Sequence, residues 1–215
     1  MKFSMLLPAV LMLAILLGAA GRLDVWSFYA WTGMIAVSGT TVQFILARRC
    51  PELLAERMKP PVDRDRLTRR LTFFPVLTAL ILAGLGVRLG MNGLPVWLML
   101  TGLVLVGAGF ALVAWVLTTN AFASSAVRIQ AERDQHVITG GPYAFVRHPM
   151  YLAVLLVCLG SGLALGSWPA EVAFLAIVPL FVRRTLLEDH MLHGELPGYQ
   201  TYARRVRWRV LPGLF

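Results

Sequence analysis

Cysteine and acidic residues are both scarce in this sequence. It contains only two cysteines, Cys50 and Cys158, and 11 acidic residues against 20 lysines and arginines. Two cysteines, one in a polar linker and one inside an apolar run, do not make a disulfide framework, and neither shows the spacing of a zinc site. We therefore expect neither a disulfide-stapled domain nor a bound metal.

Charge of either sign is sparse compared with apolar surface. Charged residues make up 14% of the 215 residues and hydrophobic residues 58%, and the mean hydropathy is +0.70. This composition excludes a soluble domain with an ordinary polar surface. Because a helix satisfies its own backbone hydrogen bonds, about 20 apolar residues suffice to cross a bilayer. The sequence therefore predicts an all-α integral membrane protein.

Long apolar runs place the predicted helices. Four runs qualify as spans: Phe3–Ala20, Ser27–Ala47, Leu71–Leu89 and Pro95–Thr119. A fifth run, residues 150–182, is interrupted at residues 166–169, where Ser167 can cap a new helix and Pro169 suits a first turn. We predict a helical hairpin over residues 149–190. The chain then has about six hydrophobic helices, or five spans if the hairpin counts as one.

The basic residues predict the topology. Eighteen of the twenty lysines and arginines are Lys2 or fall within residues 48–70, 128–147 and 183–209. With six crossings these segments share one side, which the positive-inside rule makes cytoplasmic. We expect a bacterial inner-membrane protein whose N-terminus, polar loops and C-terminus face the cytoplasm. The positive charge then suits anionic membrane lipids, and no nucleic-acid signature accompanies it.

The N-terminal segment allows an alternative. Lys2, a leucine-rich core and the small residues Gly18, Ala19 and Ala20 also fit a cleaved signal peptide over residues 1–21. The orientation predicted for residues 22–215 is the same in either case.

Residues 48–70 form a polar linker within the N-terminal part, residues 1–119. A short amphipathic helix is expected around Glu52–Met58, ended by Pro60 and Pro61. The linker is either a connector at the membrane surface or a substrate-docking segment. Farther along, the glycines of residues 102–110 follow no predicted strand, so they indicate close helix packing instead of a nucleotide-binding loop.

The loop between the fourth and fifth apolar runs is rich in polar and aromatic residues. A simple connection would be much shorter. Pro149 suits the first turn of the next helix, which puts Arg147 and His148 at a positive helix N-terminus that favours anions, with Tyr151 on the face of His148. Taken singly, these residues also fit interfacial anchors of a membrane helix.

The hairpin brings a distant acidic pair to this loop. At 1.5 Å per residue, the arms from Met150 to Ser167 and from Ala170 to Glu188 have similar lengths, about 25 and about 27 Å. Glu188 and Asp189 therefore return to the depth of Arg147 and His148. They are candidates for binding a cation or for a salt bridge with the Arg-His pair.

The ordered motifs from Gln130 onward resemble a known family. The stretch "QAERDQHVITGGPYAFVRHPMY", the hairpin and "RRTLLEDHMLHGELPGYQTYARRVRWRVLPG" are similar to isoprenylcysteine carboxyl methyltransferases and related bacterial membrane and phospholipid methyltransferases. The linker segment "PELLAERMKPP" resembles one found in bacterial members. The resemblance implies that residues 120–215 form the catalytic core, with S-adenosylmethionine bound at the cytosolic face by the loop, the hairpin base and the C-terminal segment.

The resemblance also implies the site residues. Arg147, His148 and Tyr151 are the expected catalytic residues, and the expected cofactor contacts are Gln130, Arg133, His136, Gly140, Gly141, Tyr143, Arg147, His148, Tyr151, Glu188 and Asp189. Arg133 stands where many members have lysine, and Asp189 replaces a second glutamate. "LPGY" at residues 196–199 departs from the pattern of eukaryotic members, which puts a prenylated substrate in doubt.

The residue types suit methyl transfer, which chiefly requires alignment and exclusion of water. We expect Arg147, His148 and the helix N-terminus to receive the cofactor carboxylate, and Glu188 its ammonium or ribose hydroxyls. Gly140 and Gly141 would let the backbone approach the cofactor. The acceptor is a lipophilic small molecule or a lipidated substrate: an isoprenylcysteine carboxylate, a phospholipid amine or a small thiol. The oligomeric state stays open.

Two other functions fit parts of the pattern. An NADPH-dependent membrane reductase of the sterol-reductase type has a similar C-terminal helical arrangement, and a fold does not fix chemistry. A transporter or scaffold would place polar residues near the bilayer midplane, whereas the charges here cluster at one interface.

Overall fold

The computed structural model describes residues 6–60 and 63–215. Lys2, the start of the predicted Phe3–Ala20 span and Pro61 lie outside these residues. The described residues contain no strand. They form ten α-helices: α1 Leu6–Ala20, α2 Trp26–Arg49, α3 Pro51–Met58, α4 Arg66–Leu71, α5 Phe73–Arg88, α6 Val96–Thr119, α7 Pro149–Ala164, α8 Trp168–Leu175, α9 Ile177–Glu195 and α10 Tyr199–Arg205. The predicted all-α fold is confirmed.

Among the described residues, three helical segments are long and apolar enough to cross a membrane. They are α2, residues 66–88 comprising α4 and α5, and α6, while α1 and α7 are apolar but shorter, with 15 and 16 residues. Large apolar side chains on these helices, such as Leu7, Val37 and Val104, are more than 60% exposed. Such a surface suits lipid and not water. The chain is an all-α membrane protein.

Helices α6 and α7 pack closely through glycines. A Cβ atom on Gly102 would lie 2.6 Å from the carbonyl oxygen of Gly160, and one on Gly109 would lie 2.9 Å from that of Ala153. The predicted close packing is therefore confirmed at Gly102 and Gly109. A Cβ atom on Gly107 would meet only Met34, at 3.9 Å, so this glycine lies outside the tight contact.

The hairpin turns where the sequence predicts. Gly166 has a left-handed backbone (φ +73°), and the hydroxyl of Ser167 caps α8 by accepting a hydrogen bond from the backbone N–H of Ala170 at 3.3 Å. The second arm differs from the continuous helix expected, because it breaks at Ala176 into α8 and α9. Pro179 has no N–H to bond to the preceding turn, which accounts for the break.

The C-terminal segment returns to the start of α7. The backbone N–H groups of Arg147 and His148 donate to the carbonyls of Trp208 and Arg209, at 3.0 and 2.8 Å. The hydroxyl of Tyr202 also donates to the carbonyl of Tyr143 at 2.7 Å. Loop, hairpin base and C-terminal segment therefore meet in one region.

Candidate functional site

Asp189 and Arg147 form a buried, bidentate pair at the centre of this region. The Nε and Nη2 atoms of Arg147 each donate to a different carboxylate oxygen of Asp189 at 3.0 Å. The Nη1 atom donates to the carbonyls of Val206 and Arg207 at 3.0 and 3.1 Å. The guanidinium therefore joins α9, the start of α7 and the C-terminal segment, and most of its donors are used within the protein.

The carboxylate of Asp189 has three further hydrogen-bond partners. Tyr199 donates to it at 2.9 Å, Arg209 at 3.0 Å, and the Nε2 atom of His148 lies 3.2 Å away. Burial alone would raise the pKa of Asp189, but hydrogen bonds from His148, Arg147 and Tyr199 outweigh it and hold that pKa below the usual range of a carboxyl group. Asp189 is therefore an ionised anchor of the region.

Glu188, the neighbouring acid, faces a different set of residues. Its Oε2 atom accepts a hydrogen bond from the hydroxyl of Tyr151, and that hydroxyl accepts one from the Nε atom of Arg184 at 3.2 Å. The rings of Tyr151 and His148 stack with centroids 5.8 Å apart. In the described part of the chain the Oε1 atom of Glu188 has no hydrogen-bond partner, so it is available to a bound molecule.

Asp63 ties the polar linker to the same site. Its Oδ2 atom accepts from both terminal nitrogens of Arg184 at 3.4 Å, and its Oδ1 atom accepts from the backbone N–H of Val127 at 3.1 Å. The N–H of Arg64 donates to the carbonyl of Val127 at 3.2 Å. The linker therefore holds both the long loop and the guanidinium that contacts Tyr151.

A cavity of about 410 Å³ lies among these groups. Its size is that of a small-molecule site. Six predicted site residues line it: His136, Tyr143, Arg147, His148, Tyr151 and Glu188. Met150, Val154 and Phe181 from the two hairpin arms supply apolar wall. Polar and apolar surfaces thus meet in one cavity at the base of the hairpin.

Gln130 and Arg133, two further predicted cofactor contacts, lie behind the wall. The side-chain amide of Gln130 donates to the carbonyl of Phe122 at 2.7 Å, and Arg133 donates to the amide oxygen of Gln130 at 2.6 Å. The guanidinium of Arg133 also lies over the Phe122 ring, 5.6 Å from its centroid. Since Phe122 does line the cavity, these two residues support the wall and do not form it.

The glycine pair and Asp189 also lie outside the cavity lining. Gly141 has a left-handed backbone (φ +57°), and a Cβ atom there would lie 2.9 Å from the hydroxyl oxygen of Thr119 and 3.2 Å from the Trp115 indole nitrogen. Its lack of a side chain therefore allows the loop to pack on α6, while the expected approach of the backbone to a cofactor stays a prediction. A Cβ atom on Gly140 would meet no neighbouring atom within 4 Å.

The residues of the site that sequence reasoning missed include Arg184 and Asp63. Arg184 precedes Glu188 by four residues on one helix, so their i, i+4 spacing was a usable signal. Asp63 carried no such signal, because it is remote in sequence from Val127 and Arg184 and lies in an irregular linker.

Fold and cavity together define a class: an all-α membrane protein with a polar pocket at one end of its apolar helices. The sequence profile of the phospholipid methyltransferase family matches residues 97–195. This match includes α6, the long loop and the hairpin, and so most of the cavity. It confirms the resemblance of this segment, which is less than half of the chain, to membrane methyltransferases of the phospholipid and isoprenylcysteine type.

Curated relatives match a similar length of chain. Over 84 residues the chain is 33% identical to the cobalt-zinc-cadmium resistance protein CzcN of Cupriavidus metallidurans, covering 37% of this chain and 38% of the relative. Over 85 residues it is 29% identical to the protein-S-isoprenylcysteine O-methyltransferase of Schizosaccharomyces pombe, covering 39% and 36%. The matched segment thus spans little more than a third of these relatives' lengths.

Proposed function

We propose that the protein is an S-adenosylmethionine-dependent membrane methyltransferase that acts on a lipophilic acceptor at the cytosolic face of a bacterial inner membrane. The observation that supports this most directly is a cavity in which the carboxylate of Glu188 and the ring of His148 share a wall with Val154 and Phe181. A polar donor and an apolar acceptor have opposite requirements, and this cavity meets both.

The residues present fit the methyl donor. Its sulfonium group supplies an activated methyl carbon, its ammonium group needs an anion, and its carboxylate needs a cation. Glu188 offers a carboxylate oxygen without a partner in the described chain, which suits the ammonium or the ribose hydroxyls. His148 and the N-terminal end of α7 suit the carboxylate, while Arg147 adds positive charge from its position against Asp189.

The contribution of the protein to transfer is chiefly alignment. When bound, the donor would supply an activated methyl group for in-line displacement by the acceptor, with the electron pair of the broken carbon–sulfur bond leaving on sulfur. Tyr151, fixed by Arg184, Glu188 and the stacked ring of His148, gives one wall of the cavity a defined geometry. The apolar side chains of the hairpin arms exclude water from the acceptor side.

Residues that do not line the cavity have supporting roles on this proposal. Gln130 and Arg133 hold Phe122, Gly141 packs the loop on α6, and Asp189 fixes Arg147 and His148. We propose that residues 120–215 form the catalytic core and that residues 1–119 supply the membrane helices and the linker.

Ligand binding by the purified protein in detergent tests the proposal. Saturable binding of S-adenosylhomocysteine by calorimetry is expected, and at 100 times Kd it adds about 2.7 kcal/mol to the free energy of unfolding. Binding of NADPH without binding of S-adenosylhomocysteine would support the reductase instead. Tritiated methyl incorporation into a lipid extract then identifies the acceptor fraction.

A further inference from the structure

The cavity wall contains an excess of cationic side chains. Glu188 is its one carboxylate in the described part of the chain, whereas its arginines are Arg57, Arg69, Arg128, Arg147 and Arg184. An arginine that already faces a carboxylate offers less net charge to a ligand than an arginine without such a partner. The pairing of each arginine therefore decides which of them is available.

Two of these arginines are paired with aspartates already described. Arg147 contacts Asp189 at 3.0 Å and Arg184 contacts Asp63 at 3.4 Å. The Nε atom of Arg69 lies 3.6 Å from the same Asp63 carboxylate.

Arg128 is paired twice. Its terminal nitrogens lie 2.6 Å from a carboxylate oxygen of Glu56 and 2.6 Å from one of Glu132. Four of the cavity arginines are therefore paired with carboxylates of the protein itself.

Arg57 differs from the other four. Its Nη1 atom donates to the carbonyl of Ala123 at 2.7 Å, and no carboxylate of residues 6–60 and 63–215 lies within ion-pair distance of it. Burial lowers the pKa of Arg57, and no ion pair with a carboxylate offsets this effect. A partly buried guanidinium that lacks a counterion is costly, and a bound anion removes that cost.

The position of Arg57 indicates which ligand supplies the anion. Arg57 lies on α3, outside the residues 97–195 that match the phospholipid methyltransferase family, whereas Glu188 and His148 lie inside them. A methyl donor common to the whole family is expected to bind the matched domain, whereas the linker that carries Arg57 resembles a segment of the bacterial members. Leu53, 1% exposed, packs α3 against Leu46 and Leu117, so Arg57 is held at a fixed place on the cavity wall.

We propose that Arg57 binds an anionic group of the methyl acceptor, so that the acceptor is an acidic amphiphile with a carboxylate or phosphate group. This inference rests on the proposed methyltransferase function. The apolar part of the acceptor lies along Met150, Val154 and Phe181, and its oxyanion pairs with the guanidinium. Arg57 is then a residue that determines specificity and comes from the linker.

The methyl donor also carries a carboxylate that Arg57 could bind. Binding experiments distinguish an anionic group of the acceptor from this carboxylate of the donor. Binding of S-adenosylhomocysteine is measured for the wild type, Arg57→Gln and Arg57→Lys. On our proposal its Kd stays within about twofold in all three, because the donor does not use Arg57. A tenfold weakening in Arg57→Gln would assign Arg57 to the donor and overturn the proposal.

A second experiment tests acceptor binding with two matched amphiphiles, in the absence of any methyl donor. N-acetyl-S-farnesylcysteine and its primary amide, which lacks the negative charge, are titrated into the detergent-solubilised protein. The wild type is expected to prefer the acid at least tenfold. Arg57→Gln should bind both alike, and Arg57→Lys should retain part of the preference.

Arg49→Gln is the control, because Arg49 is exposed at the end of α2 and does not line the cavity. If Arg57→Gln preferred the acid over the amide as strongly as the wild type does, the role of Arg57 would be overturned. This holds whatever the result for S-adenosylhomocysteine. Absence of S-adenosylhomocysteine binding to the wild type, with the acid preference intact, would instead refute the methyltransferase proposal and leave the anion site standing.

Discussion

Asp189 receives two parallel hydrogen bonds from Arg147, each 3.0 Å long, although 42 residues separate the two in sequence. Both side chains are almost fully buried, with 5 and 6% exposure. Since Arg209 and His148 contact the same carboxylate, this one side chain joins the loop, α9 and the C-terminal segment.

Asp189→Asn should destabilise the protein strongly. The substitution leaves Arg147 buried without its counterion, and loss of one partner from a buried pair costs about 3–5 kcal/mol. Thermal unfolding in detergent should show a clearly lower midpoint. Glu195→Gln is the matched control, because Glu195 pairs with Arg64 where both side chains are largely exposed, and its midpoint should barely move. Equal midpoints for the two variants would contradict an anchoring role for Asp189.

Glu188→Gln should weaken S-adenosylhomocysteine binding with little change in stability. Hydrogen bonds to a charged group contribute about 1.5–3 kcal/mol, which corresponds to roughly 10- to 150-fold in Kd. Tyr151 can still donate to the amide oxygen, so the wall geometry is retained. Calorimetry measures the loss, and Glu132→Gln, an exposed acid of the long loop, should bind like the wild type. Unchanged affinity in Glu188→Gln would remove Glu188 from the donor site.

Tyr151→Phe distinguishes a role of the Tyr151 hydroxyl in aligning the reactants from a role of the ring in packing. The phenyl ring keeps the stacking on His148 and the edge contact with Phe181, whose centroid lies 5.5 Å away, but the hydroxyl between Arg184 and Glu188 is lost. We expect the rate of methyl transfer to fall at least tenfold and the unfolding midpoint to change little. Tyr29→Phe, which loses a hydroxyl bond to the Leu23 carbonyl on an exposed surface, serves as control. Parallel losses of activity and stability would indicate that Tyr151 serves packing.

Much of this fold follows from local patterns. Apolar runs, the polar interruption at residues 166–169 and Pro149 predict the helices and the hairpin because each feature acts within a few residues. The return of Glu188 and Asp189 to the depth of Arg147 then follows from helix rise alone.

The sequence could not predict in the same way which of Glu188 and Asp189 faces the cavity. Adjacent residues on a helix point about 100° apart, so only one of the two can face the cavity, and which one depends on the rotation of α9. That rotation is set by tertiary contacts, including those of Arg184 with Asp63 of the linker. Likewise, Gly141 is needed for packing on α6, which a motif cannot distinguish from a cofactor approach.

Two glycines of α6 should respond to alanine in opposite ways. In Gly102→Ala the new methyl group would lie 2.6 Å from the carbonyl oxygen of Gly160, so α6 and α7 must separate, at a cost of about 1–3 kcal/mol. Gly107→Ala meets only Met34 at 3.9 Å, and alanine is the better helix former. Unfolding midpoints in detergent should fall for the first variant and stay level or rise for the second. Because α7 carries His148 at its start and Tyr151 in its first turn, Gly102→Ala should also weaken S-adenosylhomocysteine binding, while Gly107→Ala should not. A fall in both midpoints would mean that glycine serves α6 through flexibility and not through contact with α7.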